Sequence, residues 1–285
     1  MQIKDLKKEV ALPSLEFDLI TAHVIHKTRE FVLAHGEFKL SNKEEYKIYD
    51  LAERRLAGEP LAYLFGYQEF FGLNFLVSQH TLIPRPETEL IIDESLQILK
   101  SKASNEQITI LDVGTGSGCI AISLAHKLGQ DSRPVSYKII AIDIENKALK
   151  LARKNAKLNN VKDLIIFKEG NLIEPLLDMD IDLQNSSFLI CANLPYLTPK
   201  QFKNSPTIQH EPVSALISGE DGLQHYRELF KQLKHWQIKN STLLCEIDDT
   251  QGQIMTELIK KELPGRQFII KKDLGGYDRL AIITT

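Results

Sequence analysis

The segment Ile110-Leu-Asp-Val-Gly-Thr-Gly-Ser-Gly118 constrains this 285-residue chain more than any other stretch of it. It opens on a run of strand-forming residues and closes on glycines at alternate positions, Gly114, Gly116 and Gly118. Glycine there lets the backbone turn tightly and approach a ligand with no Cβ in the way. The residues that follow, 118–128, carry helical spacing. A strand, a glycine turn and a helix in that order open a parallel α/β sheet. A dinucleotide fingerprint, GxGxxG, needs its third glycine at the position held by Cys119. The pattern here is DxGxGxG, which points away from a pyrophosphate and toward another nucleoside-like ligand.

The rest of the chain extends that rhythm. Strands are expected over 108–113, 137–142, 164–167, 188–191 and 242–246, with helices over 118–128 and 145–158 between them. This alternation predicts a parallel sheet covered by helices on both faces. Residues 267–271 and 279–283, joined by the turn-rich Asp273-Leu-Gly-Gly-Tyr277, are expected to form an antiparallel hairpin at the sheet edge. Ahead of the sheet, residues 1–65 read as a small helical bundle. Apolar residues recur there at Phe17, Ile20, Val24 and Phe31 and again at Tyr46, Tyr49, Leu51 and Leu56. Ser41 or Asn42, followed by Glu44 and Glu45, is a helix start, and Gly36 and Gly58-Glu59-Pro60 are helix ends. Residues 66–84, with Phe70, Phe71 and Phe75 around Gly72 and Asn74, read as a hairpin linking the bundle to the domain formed by 85–285.

Composition narrows the functional classes. With 43% hydrophobic and 26% charged residues the chain can form a globular core. A formal net charge of -3 lacks the basic excess typical of nucleic-acid binders, and the lysines at 147, 150, 154 and 157 read as a solvated helix face. The three cysteines include no CxxC pair, and His23 and His26 have no third ligand at metal-type spacing, so no metal is expected. The N-terminus carries no long apolar run, so neither a signal peptide nor membrane attachment is expected, and the cytoplasm is the expected compartment.

Two positions at strand ends carry the chemistry. Asp143, closing the second predicted strand, can accept hydrogen bonds from both hydroxyls of a ribose, or can cap the helix that follows. Asp112 either organises the glycine loop or meets the positive end of the ligand. The segment Phe188-Leu-Ile-Cys-Ala-Asn-Leu-Pro-Tyr196 is a buried strand with a polar, proline and aromatic tip. Asn193 there can present its side-chain carbonyl. The Leu194 carbonyl is left unpaired where the strand stops, and Pro195 has no N–H to compete for it. Two acceptors converging on one planar –NH2 group can align the poorly nucleophilic lone pair of an amide with a methyl donor and accommodate positive charge as it develops. Tyr196 can pack on the planar acceptor.

With these motifs in place, the chain resembles the release-factor glutamine N5-methyltransferase family (HemK-like proteins) over essentially its whole length. The resemblance rests on Tyr67-Gln-Glu-Phe-Phe-Gly72, Leu82-Ile-Pro-Arg-Pro-Glu-Thr-Glu89, the glycine loop, Asn193-Leu-Pro-Tyr196, Glu211-Pro212 through Ala215-Leu216, and Gly219-Glu-Asp-Gly-Leu223 with Tyr226-Arg227. It implies a seven-stranded Rossmann-like methyltransferase domain behind a helical N-terminal domain. It further implies S-adenosylmethionine as donor, with S-adenosylhomocysteine as product, and the glutamine of the Gly-Gly-Gln loop of class I peptide chain release factors as acceptor. Carried over, Gly114, Thr115, Gly116, Ser117, Gly118, Asp112, Asp143, Asn171, Leu172 and Asn193 meet the cofactor. Asn193, Leu194, Pro195 and Tyr196 hold the acceptor, with Asn193, Pro195 and Tyr196 as the catalytic group. Asn171 departs from the acidic residue common in relatives. The Pro84–Glu89 segment is expected to form a lid beside the cofactor, with Arg85 and Glu87 open between substrate and structural roles, as is Glu211. The rival acceptors are a ribosomal-protein glutamine and the exocyclic amine of adenine. The latter requires base flipping and normally a basic surface, which this chain lacks.

Overall fold

The computed structural model describes residues 1–102, 106–130 and 136–284. They divide into two compact units, 1–66 with 206–210, and 67–205 with 211–285.

The first unit contains α1 (Ile3–Glu9), α2 (Ser14–Ile25), α3 (Arg29–Ala34), α4 (Asn42–Leu56) and α5 (Leu61–Phe65). Ser41 starts α4 through a capping box, its hydroxyl accepting from the Glu44 N–H while the Glu44 carboxylate accepts from the Ser41 N–H. The buried face of α4 differs from the expected one. Ile48, Leu51 and Ala52 face the core, whereas Tyr46 and Leu56 are exposed and Tyr49 donates its hydroxyl to Glu9. An i, i+3, i+4 stripe of aliphatic residues won over the wider-spaced tyrosines, whose polar tips reach water or a partner. Of the two histidines weighed as ligands, His23 stacks on Phe65 at 4.6 Å and His26 closes α2 in a left-handed cap.

The second unit begins with a hairpin of β1 (Tyr67–Phe70) and β2 (Leu73–Leu76). Its two-residue turn, Phe71-Gly72, has positive φ at both positions (53° and 75°), as a hairpin with native twist requires. Phe71 is a costly residue there, and carboxylates hold the turn in place. The Phe71 N–H donates to Glu89 at 2.9 Å and the Gly72 N–H to Glu69 at 2.6 Å. Glu89, the last residue of the Pro-Arg-Pro-Glu-Thr-Glu string, therefore has a structural role.

Seven strands follow: β3 (Gln107–Val113), β4 (Ser136–Asp143), β5 (Ile165–Glu169), β6 (Ser187–Ala192), β7 (Ser241–Glu246), β8 (Gln267–Lys272) and β9 (Asp278–Thr284). Their order is β5-β4-β3-β6-β7-β9-β8, parallel up to β7 and antiparallel through β9 and β8. The expected C-terminal hairpin is thus present, at the sheet edge. Between the strands run α6 (Glu89–Ser101), α7 (Cys119–Leu128), α8 (Asn146–Leu158), α9 (Pro199–Lys203), α10 (Gln224–His235) and α11 (Gly252–Glu262). Alternation along β3 sends Ile108 and Ile110 into one apolar layer, with residues of α6 and α7. Leu111 and Val113 enter the other, with residues of α10 and α11. No helix among the described residues is long and apolar enough to cross a membrane.

A buried polar side chain of α8 also fastens the hairpin to the sheet domain. Asn155, on the buried face of α8, accepts from the Leu76 N–H at 2.7 Å. Its amide donates to the Leu76 carbonyl at 3.0 Å and to the Ser117 carbonyl at 2.8 Å. Asn155 thereby ties β2 and the glycine loop to the same helix. Asn155→Ala strands these backbone groups and is expected to lower stability by roughly 1–3 kcal/mol. The measurement is urea unfolding, where the midpoint should fall with an unchanged m-value. An unaltered midpoint would rule this fastening out.

Candidate active site

Strand order reverses at β3, whose neighbours β4 and β6 lead to opposite sides of the sheet. At such a switch point the carboxyl ends of the strands border a crevice. A cavity lies there, lined by the glycine loop, Asp143, Asn171 and Leu172, Asn193 to Pro195, and the segments around Arg85 and Ser214.

The glycine loop is built as the spacing requires. Gly114, Gly116 and Gly118 have φ of 74°, 55° and 85°. The N–H groups of Gly114 and Thr115 both donate to the Ile142 carbonyl at 2.9 Å, which docks the loop on the end of β4. Gly114 to Ser117 line the cavity, but Gly118 serves packing. A Cβ on it would lie 2.8 Å from Ile122 and 3.1 Å from Ala152. Asp112 is fully buried and does not line the cavity. Its Oδ2 accepts from the Thr115 hydroxyl at 2.6 Å and the Ala121 N–H at 3.0 Å, contacts that organise the loop, while Oδ1 has no hydrogen-bond partner among the described residues. Burial pushes its carboxyl up to about 6, against the pull of those two donors.

Asp143 lines the cavity. One oxygen accepts from the Gly116 N–H at 2.8 Å and the other from the Glu145 N–H at 2.9 Å. These bonds hold the glycine loop and the backbone entering α8, the capping role of the two read from the sequence. Burial raises its pKa. Asn171 and Leu172 also line the cavity, Leu172 in a left-handed conformation at φ 55°. The Asn171 amide reaches Glu174 at 3.4 Å.

The Asn193-Leu-Pro-Tyr196 tip leaves the end of β6 on the same rim. The Asn193 amide donates to the Thr88 hydroxyl at 2.9 Å. Its Oδ1 is buried and has no hydrogen-bond partner among the described residues. An orphaned acceptor of this kind is costly unless a ligand completes it. Nothing among the described residues donates to the Leu194 carbonyl either. Asn193, Leu194 and Pro195 line the cavity, but Tyr196 does not. The Tyr196 hydroxyl instead donates to Glu246 at 3.3 Å, and its carbonyl accepts from Gln251 at 2.9 Å. Burial raises its pKa well above the ordinary phenol range, so it stays a neutral donor.

Further residues surround the site, of which Glu246, Ser218 and His225 were given no role by the sequence. Glu246, at the end of β7, is buried, and that burial pushes its carboxyl up to about 7. A strand-end acid was the signal that singled out Asp143, and Glu246 carries it too. The Tyr226 hydroxyl bonds to the carbonyls of Ala192 at 3.0 Å and Glu246 at 2.5 Å, bridging the ends of β6 and β7. The Arg85 guanidinium pairs with buried Glu211, whose other oxygen accepts from the Ile83 N–H at 3.0 Å. That pair joins the segments on two sides of the cavity, and Pro84, Arg85 and Thr88 line it. Ser218 accepts from the His225 N–H at 3.0 Å and its hydroxyl lies 2.6 Å from His225 Nδ1. His225 lines the cavity, and burial lowers its pKa.

Comparison with known proteins decides the family. A release factor glutamine methyltransferase of Buchnera aphidicola is 33% identical over 271 residues, covering 95% of this chain and 91% of its relative. The chain belongs to the release factor glutamine methyltransferase family. A second such relative, from Enterococcus faecalis, is 34% identical and covers 88% of this chain and 84% of its own. Residues 3–66 match the family described as the PrmC N-terminal domain, and 91–194 that described as ribosomal protein L11 methyltransferase (PrmA). Among solved structures, the catalytic domain of hMettl16 in complex with a MAT2A 3'UTR hairpin superposes with a TM-score of 0.57 at 16% identity. It covers 93% of this chain and 92% of that one, a likeness of fold. The seven-stranded methyltransferase fold expected from the resemblance is therefore the one found.

The Asn-Leu-Pro-Tyr tip of this methyltransferase tolerates no side chain at Gly222. A Cβ there would lie 2.0 Å from the Tyr196 carbonyl oxygen and 2.3 Å from Gln251, at a φ of 76°. Gly222→Ala must displace the tip and is expected to cost on the order of 1–3 kcal/mol, a fall in Tm visible in a thermal melt. A variant melting with the wild type would show that this close approach does not exist.

Proposed function

We propose that this protein transfers a methyl group from S-adenosylmethionine to the side-chain amide nitrogen, N5, of the glutamine in the Gly-Gly-Gln loop of class I peptide chain release factors. The observation that carries the reading is the Oδ1 of Asn193, which has no partner among the described residues, with a Leu194 carbonyl that no backbone N–H among them meets, on the rim of a glycine-lined cavity. Both are acceptors, and an amide –NH2 offers two donors. Such a pair would hold the nitrogen with its lone pair turned toward the donor and would bind it more tightly as positive charge develops.

The cavity suits the cofactor. Asp143 supplies a carboxylate for ribose hydroxyls, Gly116 presents bare backbone, and Leu172 with Ile144 offers apolar contact for a base. Bound there, S-adenosylmethionine would supply an electrophilic methyl on a sulfonium. The chain's own residues would orient the amide, exclude water and stabilise charge, and no strong base is needed before attack. The names of the relatives support a release factor as acceptor. A soluble partner in translation termination accords with action in the cytoplasm, and we assign the helical unit of residues 1–66 to docking the release factor.

Incubation of the protein with S-adenosylmethionine and a class I release factor should add one methyl to the Gly-Gly-Gln peptide, localised to the glutamine side chain by fragment-ion mass spectrometry. Methyl transfer to a different residue, or none, would sink the reading. Asn193→Ala should lower kcat roughly 10²-fold while leaving the Kd for S-adenosylhomocysteine near the wild-type value. Asp143→Ala should show the reverse order, with cofactor affinity falling first, by roughly tenfold for a lost bidentate contact. Calorimetric titration alongside steady-state kinetics separates the two.

A further inference from the structure

Holding an amide nitrogen requires Asn193 to present oxygen, not nitrogen, to the acceptor. A half-turn of its terminal amide exchanges Oδ1 and Nδ2 at little steric cost. In the flipped form the site would offer an N–H to an –NH2 group and repel it. Asn193 Nδ2 lies 2.9 Å from the Thr88 hydroxyl, which itself can donate or accept. Thr88 alone would satisfy either orientation.

Glu246 removes that ambiguity. Ala192 pairs with Cys245 on the parallel strands β6 and β7, so Asn193, with Thr88 bonded to it, and Glu246 are the next positions on adjacent strands. The Thr88 hydroxyl opposes the effect of burial on the Glu246 carboxyl. Glu246 Oε2 is buried and has no hydrogen-bond partner among the described residues, while Oε1 accepts from Tyr196. An ionised carboxylate only accepts, so it would draw the single Thr88 proton and leave the Thr88 lone pairs facing Asn193. Only the Nδ2 side of Asn193 can meet them. Thr88 is itself buried, just before α6, and is fixed by the helix that starts behind it.

We infer that Thr88, with its hydroxyl oriented by Glu246, is the positioning residue that holds the Asn193 amide with Oδ1 open to the acceptor nitrogen. The inference rests on the proposed glutamine methylation but concerns residues that reading does not assign. Thr88 acts through Asn193, and Glu246 acts through Thr88; neither exchanges a proton with the acceptor.

The test uses the full chain with release factor, above neutral pH where Glu246 is ionised, and compares Thr88→Val, Thr88→Ser and Glu246→Gln. Thr88→Val keeps the shape and removes the hydroxyl. It should lower kcat roughly tenfold or more with the Kd for S-adenosylhomocysteine near wild type. Thr88→Ser restores the hydroxyl and should recover most of that loss. Glu246→Gln, which can donate as well as accept, should fall between wild type and Thr88→Val. The inference is overturned if Thr88→Val turns over like wild type, if Thr88→Ser is no better than Thr88→Val, or if the loss lies wholly in cofactor affinity. A second readout does not depend on the acceptor. The side-chain amide proton resonances of Asn193 should shift between wild type and Thr88→Val, and identical resonances would overturn the inference even if the wild type methylates no release factor. A wild type inert on release factor with shifted resonances would instead sink the function and leave the positioning standing.

Discussion

Strand reversal at β3 is the constraint on which the rest of the site depends. Because β4 and β6 flank β3 in parallel, the carboxyl ends of the three strands come to one rim, and β7 brings a fourth. The glycine loop, Asp143, Asn193 and Glu246 are the residues found there. Chain order separates them widely, but the sheet makes them neighbours. Backbone hydrogen bonds fix each strand end, so the side chains at the rim inherit a rigid frame without needing rigid loops of their own. The fastening by Asn155 extends this frame to the hairpin and to the loop after β3.

Much of this was legible in the sequence because the signals were local. The glycine spacing dictated left-handed turns at 114, 116 and 118, and the apolar runs before Asp143 and Asn193 marked buried strands. The C-terminal hairpin could be read from its turn residues. What stayed hidden depended on contacts between distant residues. The partner of Asn193 is Thr88 and that of Glu211 is Arg85, pairs that only the tertiary structure joins. Tyr196 looked like a stacking residue because it ends an aromatic tip, yet its hydroxyl turns toward Glu246 and away from the cavity lining. In α4, tyrosines and leucines at nearly helical spacing suggested a face that aliphatic burial then redrew.

The site contains an unusual share of buried polarity for a reaction with no obvious proton shuttle. Asp112 and Glu246 both sit where burial works against their charge. Each is retained beside hydroxyl donors, Thr115 for one and Tyr196 for the other. Placing carboxylates where water does not reach costs folding free energy, and it confers orientation, since a buried anion has few ways to satisfy its oxygens. Orientation is what an amide acceptor needs, because its own nitrogen contributes so little reactivity.

The sheet's far edge has a different consequence. β9 follows β8 in the chain but lies between it and β7. β8 therefore has no neighbour to join until the segment made after it has arrived, and it reaches the sheet only through β9. This flank can close only after the residues of β9, Asp278–Thr284, have been made. Until then β7 is an open border, the kind of surface on which nascent chains go astray or are shielded by chaperones.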